Sequence, residues 1–366
     1  MKIPYTNFAQ ITQTIRPDLH EALDDVLTSG RYILGPSLTK YEDSIAQLLG
    51  VKHVLGVASG TCALHLVLRE LGVGPGDEVL TVPNSFIASA ASIALVGGTP
   101  RFVDVDEDMN ISPAAIEAAI TPRTRALIPV HLTGRVARMD EVMKIAKKHG
   151  LAVLEDCAQA IGAARNGLSA GSWGDAAAFS CHPLKNLFAY GDSGMIATND
   201  DALNERVKMA RSHGMPNREQ CDFWSHNCRM DELQAALLLV NLKKFSEWTD
   251  ERRRLAKRYN SLLADVSIVP EEGPGEFHSY QTYMIRVDRR DELQAFLNER
   301  GVEALTHYKV SLHLQPAAAN LGYKKGDFPV AEKLASTILS LPLYPGLEES
   351  SQDYVSSLIH EFFGKK

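Results

Sequence analysis

From Val54 to about Thr198 the chain repeats one pattern: a short apolar run, a turn, a helix-length stretch, then another apolar run. The runs at 54–57, 78–82, 101–105, 126–130, 151–155, 176–180 and 194–198 read as strands. Strands that alternate with helices predict a mostly parallel sheet covered by helices on both faces. Sheets of that kind place ligands beyond the carboxyl ends of their strands. The residues with chemical potential are therefore sought there.

The flanking segments carry their own signals. A helix is expected over Pro17–Thr28, stopping at Ser29-Gly30, then a loop through Arg31–Pro36 and a helix over Ser37–Leu49. Leu233, Leu237, Val240, Phe245 and Trp248 lie near helical spacing and predict a long helix from Met230 toward Tyr259. Beyond it, Tyr280–Val287 and Val302–Leu305 read as strands, and Arg290–Arg300 and Ser350–Phe363 as helices. The Arg252-Arg253-Arg254 run reads as a solvated helix face.

With 366 residues the chain exceeds one simple core and suits two lobes. The fold class expected is a three-layer α/β/α with a mostly parallel, mixed central sheet, plus a smaller C-terminal α+β domain. The division is residues 1–35 for an N-terminal helix and loop, 36–250 for the large domain and 251–366 for the small one. A net charge of −7 argues against nucleic-acid or membrane-surface partners, so any bound phosphate must be held by local donors. The five cysteines are odd in number and lack metal-ligand spacing, which fits free thiols in a reducing cytoplasm. The first residues lack an apolar secretion core, and no run approaches the length of a membrane span.

Lys185 follows the apolar run ending at Phe179-Ser180, and Asp156 ends the run Leu151–Leu154-Glu155. An acid at one strand end and a lysine just past another is what a pyridoxal phosphate site requires. The amine forms a Schiff base and the carboxylate partners the protonated ring nitrogen. Ser59-Gly60-Thr61 follows a strand and opens a helix whose free N–H groups can cradle a phosphate, with Ser180 as a second hydroxyl donor. Gln159, three residues past Asp156, could reach the ring's phenolic oxygen, and Phe86 could stack on its face. Lys185 would then also move a proton, which needs a depressed pKa.

Other motifs point elsewhere and are set aside. Gly191-Asp192-Ser193-Gly194 resembles the nucleophile loop of trypsin-like proteases, but Met195 follows it within an alternating α/β pattern. Gly72–Gly76 precedes a strand and does not open a helix, so it reads as a turn. His131, His182, His213 and His226 lack zinc spacing.

Taken in order, Ser29–Pro36, Ser59–Leu64, Gly74–Val79, Phe102–Asp106, Pro129–Gly134, Glu155–Gln159, His182–Asn186, Asn227–Met230 and His313–Gln315 are similar to the DegT/StrS family of nucleotide-sugar aminotransferases. The resemblance implies Lys185 as Schiff-base lysine and Asp156 at the ring nitrogen. It implies Gln159 at the phenolic oxygen, Gly60, Thr61 and Ser180 at the phosphate, and Phe86 on the ring. It further implies a homodimer with shared active sites, in which Asn227 reaches the neighbouring subunit's phosphate. Tyr32, His307, Tyr308 and His313 are the implied substrate contacts. The implied reaction moves an amino group from glutamate to a 3-keto or 4-keto nucleotide-linked hexose. A keto-cyclitol acceptor and a non-catalytic cofactor-binding regulator are the competing expectations. Lys309-Val310-Ser311 departs from the family's Pro-rich form, and Cys62 stands where an acid is common.

Overall fold

The computed structural model describes residues 2–365, so the outermost residue of each terminal segment lies outside it. Its centre is a seven-stranded sheet in the spatial order His53–Val57, Gly194–Thr198, Ala176–Ser180, Ala152–Asp156, Thr124–Leu127, Glu78–Thr81, Thr99–Phe102. Gly194–Thr198 runs antiparallel to both neighbours, and every other pairing is parallel. Six strands therefore point one way, and their carboxyl ends share one edge. Two apolar cores flank the sheet, one including Leu80, Val130, Val153 and Phe179, the other Leu55, Val57, Leu66 and Leu154. Consecutive strand residues face opposite sides, so every strand but the edge strand Thr99–Phe102 feeds both cores.

The seven strands expected between residues 54 and 198 are all present, several with shifted ends. Thr99–Phe102 starts two residues before the apolar run and stops three residues short. It is the edge strand, where Pro100 is tolerated because no outer neighbour needs its missing donor. Thr124–Leu127 likewise begins in polar residues, since ladder pairing with Glu78 depends on backbone register and not on hydrophobicity. The helices expected in the flanking segments are found at Arg16–Ser29, Pro36–Leu49, Glu232–Leu263, Arg290–Glu299 and Glu349–Phe362, each within a few residues of expectation.

The C-terminal region departs further. The ladder there is Tyr283–Arg286 against Ile338–Leu341, the second of which the sequence reading missed. Val302–Leu305 is no strand: Val302 bridges Ile3 and Leu305 bridges Ser340, each through a single residue pair. A third core gathers Leu255, Tyr259, Tyr283, Leu293, Leu297 and Leu339 together with Ile3, Ile11 and Ile15 from the N-terminal segment. The 32-residue helix Glu232–Leu263 places Leu238 in a sheet core and Leu255 and Tyr259 in this one. The arginine run is only partly solvated. Arg252 is buried and donates to the Leu343 carbonyl at 2.8 Å, because its position on the helix faces the C-terminal core.

Gly194 controls how the reversed strand meets the Gly60–Glu70 helix. A Cβ there would lie 2.4 Å from the Ser59 carbonyl carbon, 2.6 Å from the Gly60 nitrogen and 2.7 Å from the Phe179 oxygen. All three are backbone atoms, so no rotamer change relieves the clash. Gly194→Ala is expected to cost about 1–3 kcal/mol and to displace the helix N-terminus. A chemical denaturation midpoint equal to wild type would contradict this packing.

Candidate active site

At the shared strand edge lies a cleft of about 500 Å³ whose lining includes Gly60, Thr61, Phe86, Asp156, Gln159, Ser180, Lys185, His307 and Tyr308. Residues from 60 to 185 thus meet because parallel strands deliver their ends to one side, and His307 and Tyr308 face them from the C-terminal region. Asp156 is buried at the end of its strand. Its Oδ2 accepts the Ser89 hydroxyl at 2.7 Å and its Oδ1 accepts the Ala158 N–H at 3.1 Å. The preceding residue, Glu155, points to the opposite side and is fully buried. It accepts N–H groups of Gly171, Trp173 and Gly174 at 2.8–3.0 Å and pairs with His131 Nε2 at 2.9 Å. His131 Nδ1 accepts the Ala137 N–H, which leaves the ring proton on Nε2 to be donated to Glu155. His131, Glu155 and Cys157 stand close enough to suggest a metal, yet the His131 and Glu155 ligand atoms are already engaged with one another and with these amides.

Lys185 sits in a tight turn. Its N–H donates to the His182 carbonyl at 2.8 Å, and the Ala189 N–H closes onto Cys181 at 2.7 Å. Gln281 grips both neighbours of the lysine: Oε1 accepts the Asn186 N–H, and Nε2 donates to the Leu184 carbonyl. The lysine's pKa is lowered by burial, a shift that the charges of Asp156 and Cys181 oppose.

At the other end of the cleft, Ser59 caps the Gly60–Glu70 helix by accepting the Cys62 N–H at 3.1 Å. The first N–H groups of a helix lack intrahelical partners, so those of Gly60 and Thr61 are free for an anion. A Cβ on Gly60 would stand 3.0 Å from that of Ser180 and 3.4 Å from the Phe179 carbonyl oxygen, so glycine lets the helix close tightly on the strand end. The orientation of Gln159 follows from one contact. Its Oε1 accepts the Thr133 N–H at 2.7 Å, so the amide NH₂ turns toward Tyr308 and the cleft as a donor. His307 Nδ1 meets Ser340 at 2.9 Å, and burial together with the nearby Lys185 charge lowers its pKa to about 4. Phe86 is half-exposed at the mouth, its ring 5.8 Å from that of Tyr308.

Three expected residues lie outside this lining. His313 is buried and bonded to Glu332 at 3.0 Å between Phe102 and Phe328, and so stands apart from the cleft lining. Leu312 beside it is tied to the Pro83 carbonyl, so the chain direction turns the His313 side chain inward. Tyr32 is half-exposed; its carbonyl accepts the Glu232 N–H. Asn227 is exposed on a segment bridged to Ser212.

The sequence profile of the DegT/DnrJ/EryC1/StrS aminotransferases matches residues 13–360. The chain belongs to that family. Family relatives extend over its whole length. A "pleiotropic regulatory protein" of Geobacillus stearothermophilus is 46% identical over 99% of each chain. The dTDP-3-amino-3,4,6-trideoxy-alpha-D-glucose transaminase of Streptomyces venezuelae is 40% identical over 99% of this chain and 96% of its own. The crystal structure of DesV from S. venezuelae in complex with a ketimine intermediate superposes with a TM-score of 0.97 at 40% identity, covering 100% of this chain and 99% of that one.

The donor set fits pyridoxal phosphate, the cofactor of this family: a lysine, a buried acid, a glycine-opened helix terminus and hydroxyls beside it. Sequence reading missed Ser85, Ser89, Tyr5, Asp192 and Gln281 in or behind this lining. Tyr5 and Gln281 arrive from distant segments and left no local signal. Ser89 lies four residues past Ser85, a helical spacing too common to single out.

Gln281→Leu is expected to lower affinity for pyridoxal phosphate about tenfold while barely moving the melting temperature, because water replaces the amide at this exposed turn. Equilibrium dialysis with unchanged affinity would remove Gln281 from the account. His278 supplies a pH test. It is buried, its Nδ1 accepts the Tyr280 N–H at 2.8 Å, and burial followed by the charges of Arg135 and Arg253 lowers its pKa to about 3. The unfolded chain takes up the proton near pH 6.5, so stability is complete above that value and falls as pH drops toward 3, by about 1.4 kcal/mol per unit. His278→Asn should flatten the melting-temperature slope between pH 6.5 and 4.5; an unchanged slope assigns it to other groups.

Proposed function

We propose that this aminotransferase moves an amino group from an amino acid, glutamate being the expected donor, to a keto carbon of a nucleotide-linked hexose. The observation that carries the reading is the convergence of Lys185, Asp156 and the Gly60–Thr61 helix terminus on one cleft. When bound, pyridoxal phosphate stores the nitrogen and withdraws electrons from the carbon that loses its proton.

The chain's own residues divide the remaining work. Lys185 would tether the cofactor and, once free, use its Nζ to take the proton from the donor's α-carbon. In the second half-reaction it returns a proton to the sugar carbon that receives nitrogen. Burial lowers its pKa, which raises the fraction of neutral amine able to do so. Asp156 would keep the ring nitrogen protonated, an electrostatic role strengthened by its burial. Gly60, Thr61 and Ser180 would hold the phosphate, Gln159 would donate its NH₂ to the phenolic oxygen, and Phe86 would cover the ring. His307 and Tyr308 stand where a sugar would enter, His307 as a neutral imidazole. The 3-amino product in the S. venezuelae relative's name supports amination at C3.

Asn227 is exposed and away from its own cleft, which supports its serving a partner subunit's phosphate in a homodimer. The free thiols support a reducing, cytoplasmic setting, and no helix among the described residues is long and apolar enough to cross a membrane. The regulatory name of the Geobacillus relative keeps a sensor reading in play, and one spectral experiment separates the two. Glutamate should convert the cofactor's visible absorption to that of its amine form, and one member of a panel of nucleotide keto-sugars should restore it. No change with any amino acid would favour the sensor. Lys185→Ala should abolish the tethered-cofactor band, and Asp156→Asn should slow donor proton removal by roughly two orders of magnitude or more. Near-normal single-turnover rates in Asp156→Asn would overturn its role.

A further inference from the structure

Behind Asp156 stand two serines to which neither the comparisons nor the family resemblance gives a part. Ser89, on the helix Ile87–Leu95, is fully buried and lies 2.7 Å from Asp156 Oδ2. Ser85, on the turn before that helix, lies 2.8 Å from Ser89 and lines the cleft. The direction of these bonds is set by chemistry. An ionised carboxylate only accepts, so the single hydroxyl proton of Ser89 points at Asp156. The Ser89 oxygen can then only accept from Ser85, whose proton is spent in turn. The chain of donors runs one way, Ser85 to Ser89 to Asp156.

The turn that carries Ser85 is itself anchored. Asn84 Nδ2 donates to the Met109 carbonyl at 2.8 Å, and the Pro83 carbonyl accepts the Leu312 N–H at 2.7 Å. With Ala158 N–H on Oδ1, each carboxylate oxygen has one protein donor, and the two fix the plane of the group. The remaining lone pairs are what the carboxylate can offer to the cleft.

We propose that Ser85 and Ser89 are positioning residues: a one-way hydroxyl relay that orients Asp156 and keeps its negative charge on the carboxylate when it faces a protonated ring nitrogen. The proposal rests on the cofactor reading above. Loss of the inner hydroxyl makes the carboxylate a better proton acceptor, so the proton it shares with the ring nitrogen moves toward it. The ring then carries less positive charge and withdraws electrons less strongly. A hydrogen bond to a charged group is worth enough to change a rate roughly ten- to hundredfold.

The test compares wild type with Ser89→Ala, Ser85→Ala and Ser89→Thr, each reconstituted with pyridoxal phosphate. Three quantities are read: cofactor dissociation constant, pH midpoint of the visible absorption band, and washout of deuterium from the α-carbon of labelled glutamate. Ser89→Ala is expected to slow washout roughly tenfold or more at unchanged glutamate KM. It should also move the band midpoint to higher pH, since a less positive ring no longer opposes protonation beside it. Ser85→Ala should show a smaller change of the same sign, and Ser89→Thr, which keeps the hydroxyl, should recover the wild-type midpoint. A Ser89→Ala protein with wild-type midpoint and washout overturns the relay. So does one that merely melts earlier with both unchanged, since that is a structural role alone. If Ser89→Ala does not fold, an unshifted midpoint in Ser85→Ala overturns it instead. A wild-type protein that takes up no pyridoxal phosphate would defeat the cofactor reading itself, a result distinct from all of these.

Discussion

The site depends on how one strand end keeps two adjacent carboxylates buried. Burying a charge is costly unless hydrogen bonds replace the water it loses. Glu155 recovers that cost with three amides from the 171–174 turn and with His131, so it fastens the strand end to the loop beneath. Alternation along the strand then leaves Asp156 no choice but to face the cleft. Its backbone is fixed as well, the N–H donating to Pro129 and the carbonyl accepting from His131. The acid opposite Lys185 is thus placed by a neighbour that never touches the cleft.

The same economy explains what the sequence could reveal. The sheet was legible because each strand is an apolar run between turns. Lys185, Asp156 and the Ser59–Thr61 terminus were legible because each sits at a strand end, where local order already implies position. Strand boundaries were less legible, as at Thr99-Pro100, where register with Glu78-Val79 overrides composition. His313 shows what local order does not report. A histidine near an expected substrate segment looked available, but the Leu312–Pro83 bond and the Phe102–Phe328 pair turn it inward. Tyr5, Ser89 and Gln281 were invisible because tertiary packing alone brings them to the site.

The N-terminal and C-terminal segments complete one another. Ile3 bridges Val302, and Tyr5 lines the cleft beside His307, with its hydroxyl pKa pushed up to about 12 by burial. The phenol therefore stays neutral and acts as a donor across the working range. Gln281 extends the same C-terminal unit onto the lysine turn. The sheet supplies the acid and the helix terminus, while the chain ends supply the wall that faces them.

The helix Glu232–Leu263 has a mechanical consequence. Because one uninterrupted rod is embedded in both a sheet core and the C-terminal core, a hinge between these cores would have to break its backbone ladder. Large rotation of one core against the other is therefore disfavoured. The rim of the pocket, where the rings of Phe86 and Tyr308 meet, is built instead from short connections that no such rod braces.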